Sequence, residues 1–198
     1  MSELQEVKKF LVKVCFIILP FSVYLFGIAI IDPFNYFGVS HIIDNKYKEQ
    51  SSAKFHYTLW KSVEFKKSPS DYVLFGDSRM AAIDTVSVRN ITGKPFYNFS
   101  FGGGTIPEMI DAFWFADKHA NLKEVYFGIG FINFNKVQSM NRFIESSSMI
   151  NNPMLYLINK IVLKSAAYNV FIKLSGEEVD VERPSLSRDI FWTATLGD

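Results

Sequence analysis

Three short stretches of this 198-residue chain hold residue types that suit acyl-group chemistry. The first is Gly76-Asp77-Ser78-Arg79, where an apolar run stops abruptly. A serine at a corner between strand and helix has its hydroxyl exposed, and the backbone N–H groups beside it can stabilise an oxyanion. Gly76 allows the tight turn, and Asp77 suits it through side-chain bonds to the backbone. The second stretch is Gly102-Gly103-Gly104, where the missing Cβ atoms let a substrate approach the main chain. The third runs from Gly128 to Asn135 and carries two amides, Asn133 and Asn135.

For these stretches to meet, each must leave the same end of a common scaffold. Tyr72 to Phe75 is a short apolar run stopped by Gly76, and it reads as a strand. A helix containing Val86 to Ile91 follows, ended by Gly93-Lys94-Pro95. Phe96 to Phe101 alternates and reads as a second strand. Thr105 is an N-cap, with Pro107 and Glu108 in the first turn of a helix reaching about Ala120. Glu124 to Ile129 is a third strand. The order β-α-β-α-β with short connections predicts a parallel sheet flanked by helices, with ligands at the carboxyl ends of its strands.

Elsewhere the patterning is plainer. Ser51 to Phe65 places Phe55, Leu59, Trp60 and Val63 at helical spacing, before the breaker at Lys66 to Ser70. Asn135 to Asn152 is polar and Ser-rich and reads as an exposed loop. Pro153 to Leu174 reads as one helix, and Gly176 to Pro184 as an acidic loop. No repeat or low-complexity tract is present.

From Phe10 to Ile31 the chain is almost wholly apolar, interrupted by Lys13 and Pro20. These 22 residues span about 33 Å as a helix, enough for a hydrocarbon core of about 30 Å. Lys8, Lys9 and Lys13 precede the core and Asp32 follows it, so the positive-inside rule puts the amino terminus in the cytoplasm and the rest outside. A cleavable signal peptide shares the basic start, but the run is longer than a signal core. The best small-residue cleavage pattern is only Gly27-Ile28-Ala29. A buried core helix is the remaining alternative. The expected division is residues 1–9 cytoplasmic, 10–31 a membrane signal-anchor, 32–50 a juxtamembrane linker and 51–198 an α/β domain.

Composition narrows the function classes. The 21 basic and 20 acidic residues give a net charge of +1, which excludes a strongly basic nucleic-acid binder. A single cysteine, Cys15, excludes a disulfide framework and a cysteine-based metal site. No cofactor and no metal are expected.

Gly76-Asp77-Ser78 after an apolar strand resembles block I of the SGNH (GDSL-type) hydrolases and acyltransferases. With a membrane anchor upstream and Asn98-Phe99-Ser100-Phe101-Gly102-Gly103-Gly104-Thr105 downstream, the chain resembles more narrowly the membrane-anchored SGNH-like proteins of bacterial envelopes. The likeness covers roughly residues 50 to 135. It implies a flavodoxin-like α/β/α sandwich, incomplete here, with Ser78 as nucleophile. Its own N–H and that of Gly102 or Gly103 would form the oxyanion hole, with Asn133 as a further donor and Gly76 and Asp77 supporting the turn. It also implies an envelope polysaccharide as substrate and an acyl-exporting membrane protein as partner. Two features depart from the family. Block III, Gly-x-Asn-Asp, is met only by Gly130-Phe131-Ile132-Asn133, with the Asn shifted by one place. The Asp-x-x-His that supplies the base is missing, since His41, His56 and His119 all precede its place. The chain therefore reads as the first part of a longer protein, or else as a complete but degenerate one.

Each candidate also has a structural reading. Ser78 would cap the next helix, Asp77 would hold the turn, Arg79 would sit in a salt bridge, and Asn133 and Asn135 would be caps. Phe131 and Phe134 read as core rather than as a sugar or lipid platform. The function expected is an anchored extracytoplasmic acyl esterase or O-acyltransferase. The alternative is a non-catalytic anchored module that binds glycan or a partner enzyme. Phosphate binding at the glycine turns lacks any Gly-x-x-x-x-Gly-Lys pattern.

Overall fold

A computed structural model describes residues 3–38, 42–135 and 140–176. His41 and the stretch after Gly176 fall outside those residues. The described chain is mostly helical, with a small three-stranded parallel sheet.

The first helix, α1, runs from Glu3 to Ile31 without a break at Pro20. It is the helix among the described residues that is long and apolar enough to cross a membrane. Its middle has no protein cover: Phe16 is 74% exposed and Phe26 69%. Only its end is enclosed, where Ile28, Asp32 and Phe34 are buried.

Asp32 makes that enclosure. Its backbone lies in the left-handed region (φ 45°), which turns the chain sharply out of the helix. Its carboxylate accepts the N–H groups of Tyr36 (2.6 Å), Phe37 (3.0 Å) and Gly38 (3.0 Å), and the hydroxyl of Tyr156 (3.2 Å). The fully buried Lys48 also lies near this carboxylate, whose charge offsets part of the cost of burying the cation. Residues 32–38 are thus a folded knot rather than a loose linker.

Helical structure resumes at Asn45, not Ser51. The expected single helix is two: α2 (Asn45–Phe55) and α3 (Tyr57–Lys67). His56 divides them, because its extended backbone stops α2 and its Nδ1 accepts the Leu59 N–H that opens α3. The strands are β1 (Tyr72–Gly76), β2 (Tyr97–Asn98) and β3 (Glu124–Gly128), in the order β2-β1-β3. Between β1 and β2 lie α4 (Ser78–Ala81) and α5 (Thr85–Thr92), and α6 (Ile106–His119) crosses from β2 over β1 to β3. The second strand is much shorter than Phe96–Phe101. Beyond Asn98 the chain still bonds β1, through Phe99 N to Leu74 O and Phe101 N to Gly76 O, without a regular ladder.

After β3, a short 3-10 turn (Phe131–Phe134) leads to α7 (Arg142–Asn151), α8 (Pro153–Ile158) and α9 (Lys160–Ser175). Two expectations fail here. Most of the supposed Ser-rich loop is α7, and the long helix from Pro153 is broken at Asn159, whose side chain caps α9. The core explains α7. Its Phe143 packs on Phe99 and Phe115, which also meet Phe65 of α3. Each such ring, fully buried, contributes on the order of 1.5–3 kcal/mol.

Asp32→Ala is expected to lower the unfolding free energy by about 2–4 kcal/mol, since buried donors lose a charged acceptor. Tyr156→Phe is expected to cost only about 1 kcal/mol. Denaturation of the solubilised full chain checks both.

Candidate functional site

The strand order β2-β1-β3 creates a switch point, because the chain leaves β1 toward one side for β2 and toward the other for β3. Ligands of open parallel sheets sit there, outside the carboxyl ends of the strands. Both flanking turns carry candidate residues. Ser78 follows β1 as the first residue of α4 and is exposed, while Asp77 behind it is buried. Gly102 and Gly103 are exposed on the turn after β2, with Gly103 at φ 65°. Asn133 is buried in the turn after β3.

Close backbone approach brings these turns together. A Cβ on Gly104 would lie 2.7 Å from Gly76 O and 3.3 Å from Asp77 Cα, so the second turn presses directly on the first. A Cβ on Gly76 would lie 2.4 Å from Met80 Cβ, which keeps α4 tight against the strand end. Side chains then tie the turns. The Asn133 amide donates to Gly104 O (2.9 Å) while its oxygen accepts Gly130 N–H (2.7 Å). It also faces the Asp77 carboxylate. One side chain therefore joins all three turns. Asn98 does similar work from β2, its amide donating toward the carbonyls of Met80, Ala81 and Ile83 at the end of α4.

Asp77 caps α4 by accepting Arg79 N–H (3.0 Å), and its carboxylate also binds the Arg79 guanidinium (2.5 Å). Burial pushes its pKa up, but the hydrogen bonds and charge of Arg79 outweigh this and hold it below the usual range. The Arg79 side chain lies across Gly130, where a Cβ would collide with it. A cavity of about 280 Å³ opens beside it, lined by Asp77, Arg79, Met80, Ile83, Gly128 and Ile129. A larger one, about 520 Å³, lies at the opposite ends of β1 and β2, between Ser68–Tyr72 and Pro95–Tyr97. The smaller cavity is the relevant one, since it adjoins the switch point.

Two residues that matter here, Arg142 and Lys61, leave no local signal in the sequence. Arg142 of α7 binds Glu108 (2.7 Å) and the carbonyl of Gly102 (3.0 Å), anchoring the glycine turn from outside. Glu108, fully buried, also completes a capping box with Thr105. Lys61 of α3 reaches the carbonyls of Asn98 (2.8 Å) and Ser100 (2.6 Å) from beneath. Burial pushes the Lys61 amine down to about 7, against the opposing pull of Glu64 and Glu49. A neutral amine has two N–H bonds, enough for both carbonyls.

The two histidines among the described residues are employed elsewhere. His56 Nδ1 accepts from Leu59 N, so in the neutral ring Nε2 carries the proton, and that atom faces Glu145 at 3.5 Å. Burial lowers its pKa. His119 Nδ1 bonds the carbonyl of Phe115 (2.7 Å). Phe131 and Phe134 are not core. They stand 96% and 70% exposed on the 3-10 turn, because that turn projects past the edge strand β3. Among the described residues no cluster of three or more His, Cys, Asp or Glu side chains forms a metal site.

Compared with protein-family models, curated proteins and solved structures, the chain finds no match.

Gly104→Ala is expected to destabilise the fold by about 1–3 kcal/mol, because its methyl meets backbone that cannot swing away. Gly102→Ala, with open space around it, is expected to be neutral within about 0.5 kcal/mol in the same melts. Lys61 sets a pH dependence. Above pH 7 the native state sheds a proton that the unfolded chain keeps up to its ordinary value of 10.5. Stability from this group is therefore lost as pH falls toward 7 and regained as pH rises toward 10.5. Between about pH 7 and pH 9 the gain is about 2 kcal/mol. Lys61→Met is expected to flatten that rise in melting temperature.

Proposed function

We propose that this chain is a membrane-anchored acyl esterase or O-acyltransferase of SGNH type, acting through Ser78. The observation that carries the reading is an exposed serine at the first helical position after the central strand, with its neighbour Asp77 buried as the cap. Ser78 Oγ attacks the carbonyl carbon of an ester while a base takes its proton. The oxyanion that forms is held by N–H groups of Ser78 and of Gly102 or Gly103. Collapse expels the alcohol, which recovers the proton, and leaves an acyl-serine. Water or a sugar hydroxyl then attacks the acyl carbon and frees the serine. The base comes from outside the described residues, since His56 and His119 serve other bonds.

The sheet is the beginning of a flavodoxin-like sandwich, whose strand order 2-1-3-4-5 starts as this one does. The basic residues Lys8, Lys9 and Lys13 keep the amino terminus in the cytoplasm, so the body faces outward from the cytoplasmic membrane. The substrate is an acyl group on envelope polysaccharide, delivered by an acyl-exporting membrane protein. Asn133 acts here as the tie between turns, with its amide already on Gly104 O.

A non-catalytic glycan-binding module is the second reading, favoured by the exposed rings of Phe131 and Phe134 beside the third turn. A fluorophosphonate probe separates the two on the membrane-embedded full chain. Labelling at Ser78, abolished in Ser78→Ala, is expected. A folded chain that stays unlabelled, yet retains polysaccharide binding that Phe131→Ala abolishes, overturns the catalytic reading.

A further inference from the structure

The end of α1 is gripped at a depth that places another element against the bilayer. Tyr24 donates its hydroxyl to Leu157 O of α8 (3.2 Å), and Tyr156, one residue earlier, reaches up to Asp32. The short helix α8 therefore lies beside the last turns of α1. Tyr24 stands 31 − 24 = 7 residues before Ile31, about 10 Å down the helix axis. Helical side chains lean toward the amino terminus, so its hydroxyl lies no higher than its Cα.

The bilayer edge follows from the other end. A hydrocarbon core of about 30 Å needs about 20 residues, and counted from Lys9 it reaches about residue 29. Counted from Lys13 it passes Ile31. On the first count Leu157 sits about 7 Å inside the apolar slab, within the roughly 5–10 Å at which monotopic helices lie, and on the second about 13 Å, deeper still.

The chemistry of α8 fits that position. Met154 (51%), Leu155 (43%) and Ile158 (50%) are exposed, on a helix with no charged residue. Backbone entering a bilayer must have its polar groups satisfied internally. Pro153 has no N–H to satisfy. Met154 N and Leu155 N bond the Asn152 side chain, and Tyr156 N bonds Asn152 O. At the other end, Asn159 N bonds Tyr156 O, and the Asn159 side chain accepts Ile161 N–H. Lys160, next along, has a stem long enough to carry its charge back to the headgroups.

We propose that α8 is a membrane-seated foot: Met154, Leu155 and Ile158 insert among lipid acyl chains of the leaflet on the domain side, alongside α1. This rests on α1 crossing the bilayer, and the experiment separates the two. Single cysteines at 154, 155 and 158, in a Cys15→Ala background, carry an environment-sensitive fluorophore in lipid nanodiscs. Nitroxide-bearing lipids then quench it. Cys15 of the unaltered chain reports on α1, and Ile91→Cys on α5 reports an exposed site remote from α1. Quenching at 154, 155 and 158 at least about threefold above that at 91, stronger with shallow than with deep nitroxides, is expected. Quenching at Cys15 with 154, 155 and 158 no different from 91 overturns the foot alone. No quenching at Cys15 overturns the span and the foot together. Sites at 154–158 closed to both lipid and aqueous quenchers indicate a protein cover and also overturn the proposal.

Discussion

The union of the apolar helix with the body depends on one carboxylate. Asp32 stands where the helix must stop, in a backbone conformation that turns the chain aside, and gathers three amide hydrogens and a tyrosine hydroxyl. A buried carboxylate without such donors would cost several kcal/mol. With them, it fixes the turn after α1, the position of Tyr156 and hence of α8. Burial of Lys48 nearby is tolerable for the same reason, since the two charges offset each other. The elements that grip α1 arrive from the far end of the chain, and Asp32 is where they meet.

At the opposite end of the body the constraint is steric rather than electrostatic. Three strand ends converge so closely that Gly76 and Gly104 have no room for a Cβ. Closeness alone does not fix such turns, because glycine is conformationally free. Asn133, Asn98 and Arg142 remove that freedom by binding carbonyls and amides of neighbouring turns. These bonds hold the turns around the exposed residue Ser78 in place. The same bonds occupy the Asn133 amide, so the oxyanion hole proposed in front of Ser78 would rely on backbone rather than on that side chain.

Sequence legibility divides along the range of the forces involved. The helix opened by Thr105 was readable because its cap, proline and glutamate are neighbours in the chain, and Gly93 ends α5 in the left-handed conformation typical of a terminal glycine. β1 and β3 were readable as apolar runs bounded by glycine. α7 was not, because its Ser-rich stretch has little local signal and folds by delivering Phe143, Met149 and Ile150 to a core built from distant residues. The breaks at His56 and Asn159 were hidden for another reason. Both interrupt segments whose apolar spacing reads as continuous helix, so periodicity passes over a residue whose side chain caps the next turn. Phe131 and Phe134 misled through composition, since aromatic residues usually belong inside, whereas theirs is a turn beyond an edge strand. Of the site, the serine, its cap and the glycines were legible. The ties between turns were not, because each spans tens of residues.

The folded junction changes what kind of tether α1 provides. Had residues 32–50 been a flexible linker of 50 − 32 + 1 = 19 residues, its root-mean-square reach would be about 25 Å. Ser78 would then sweep a wide range of heights above the bilayer. Instead, residues 32–38 are pinned by Asp32, α2 begins at Asn45 and packs on α9, and α9 in turn packs on α1. The body is clamped at both its early and its late segments. A site at the strand ends is therefore held at one height relative to α1, and under the proposed acyl-transfer reading its donor and acceptor must reach that height themselves. Rigid presentation lowers the entropy cost of meeting a partner anchored in the same membrane, at the expense of reaching substrates farther away. Under the proposed reading, a clamp of this kind suits chemistry on acyl and polysaccharide groups that arrive at the bilayer surface.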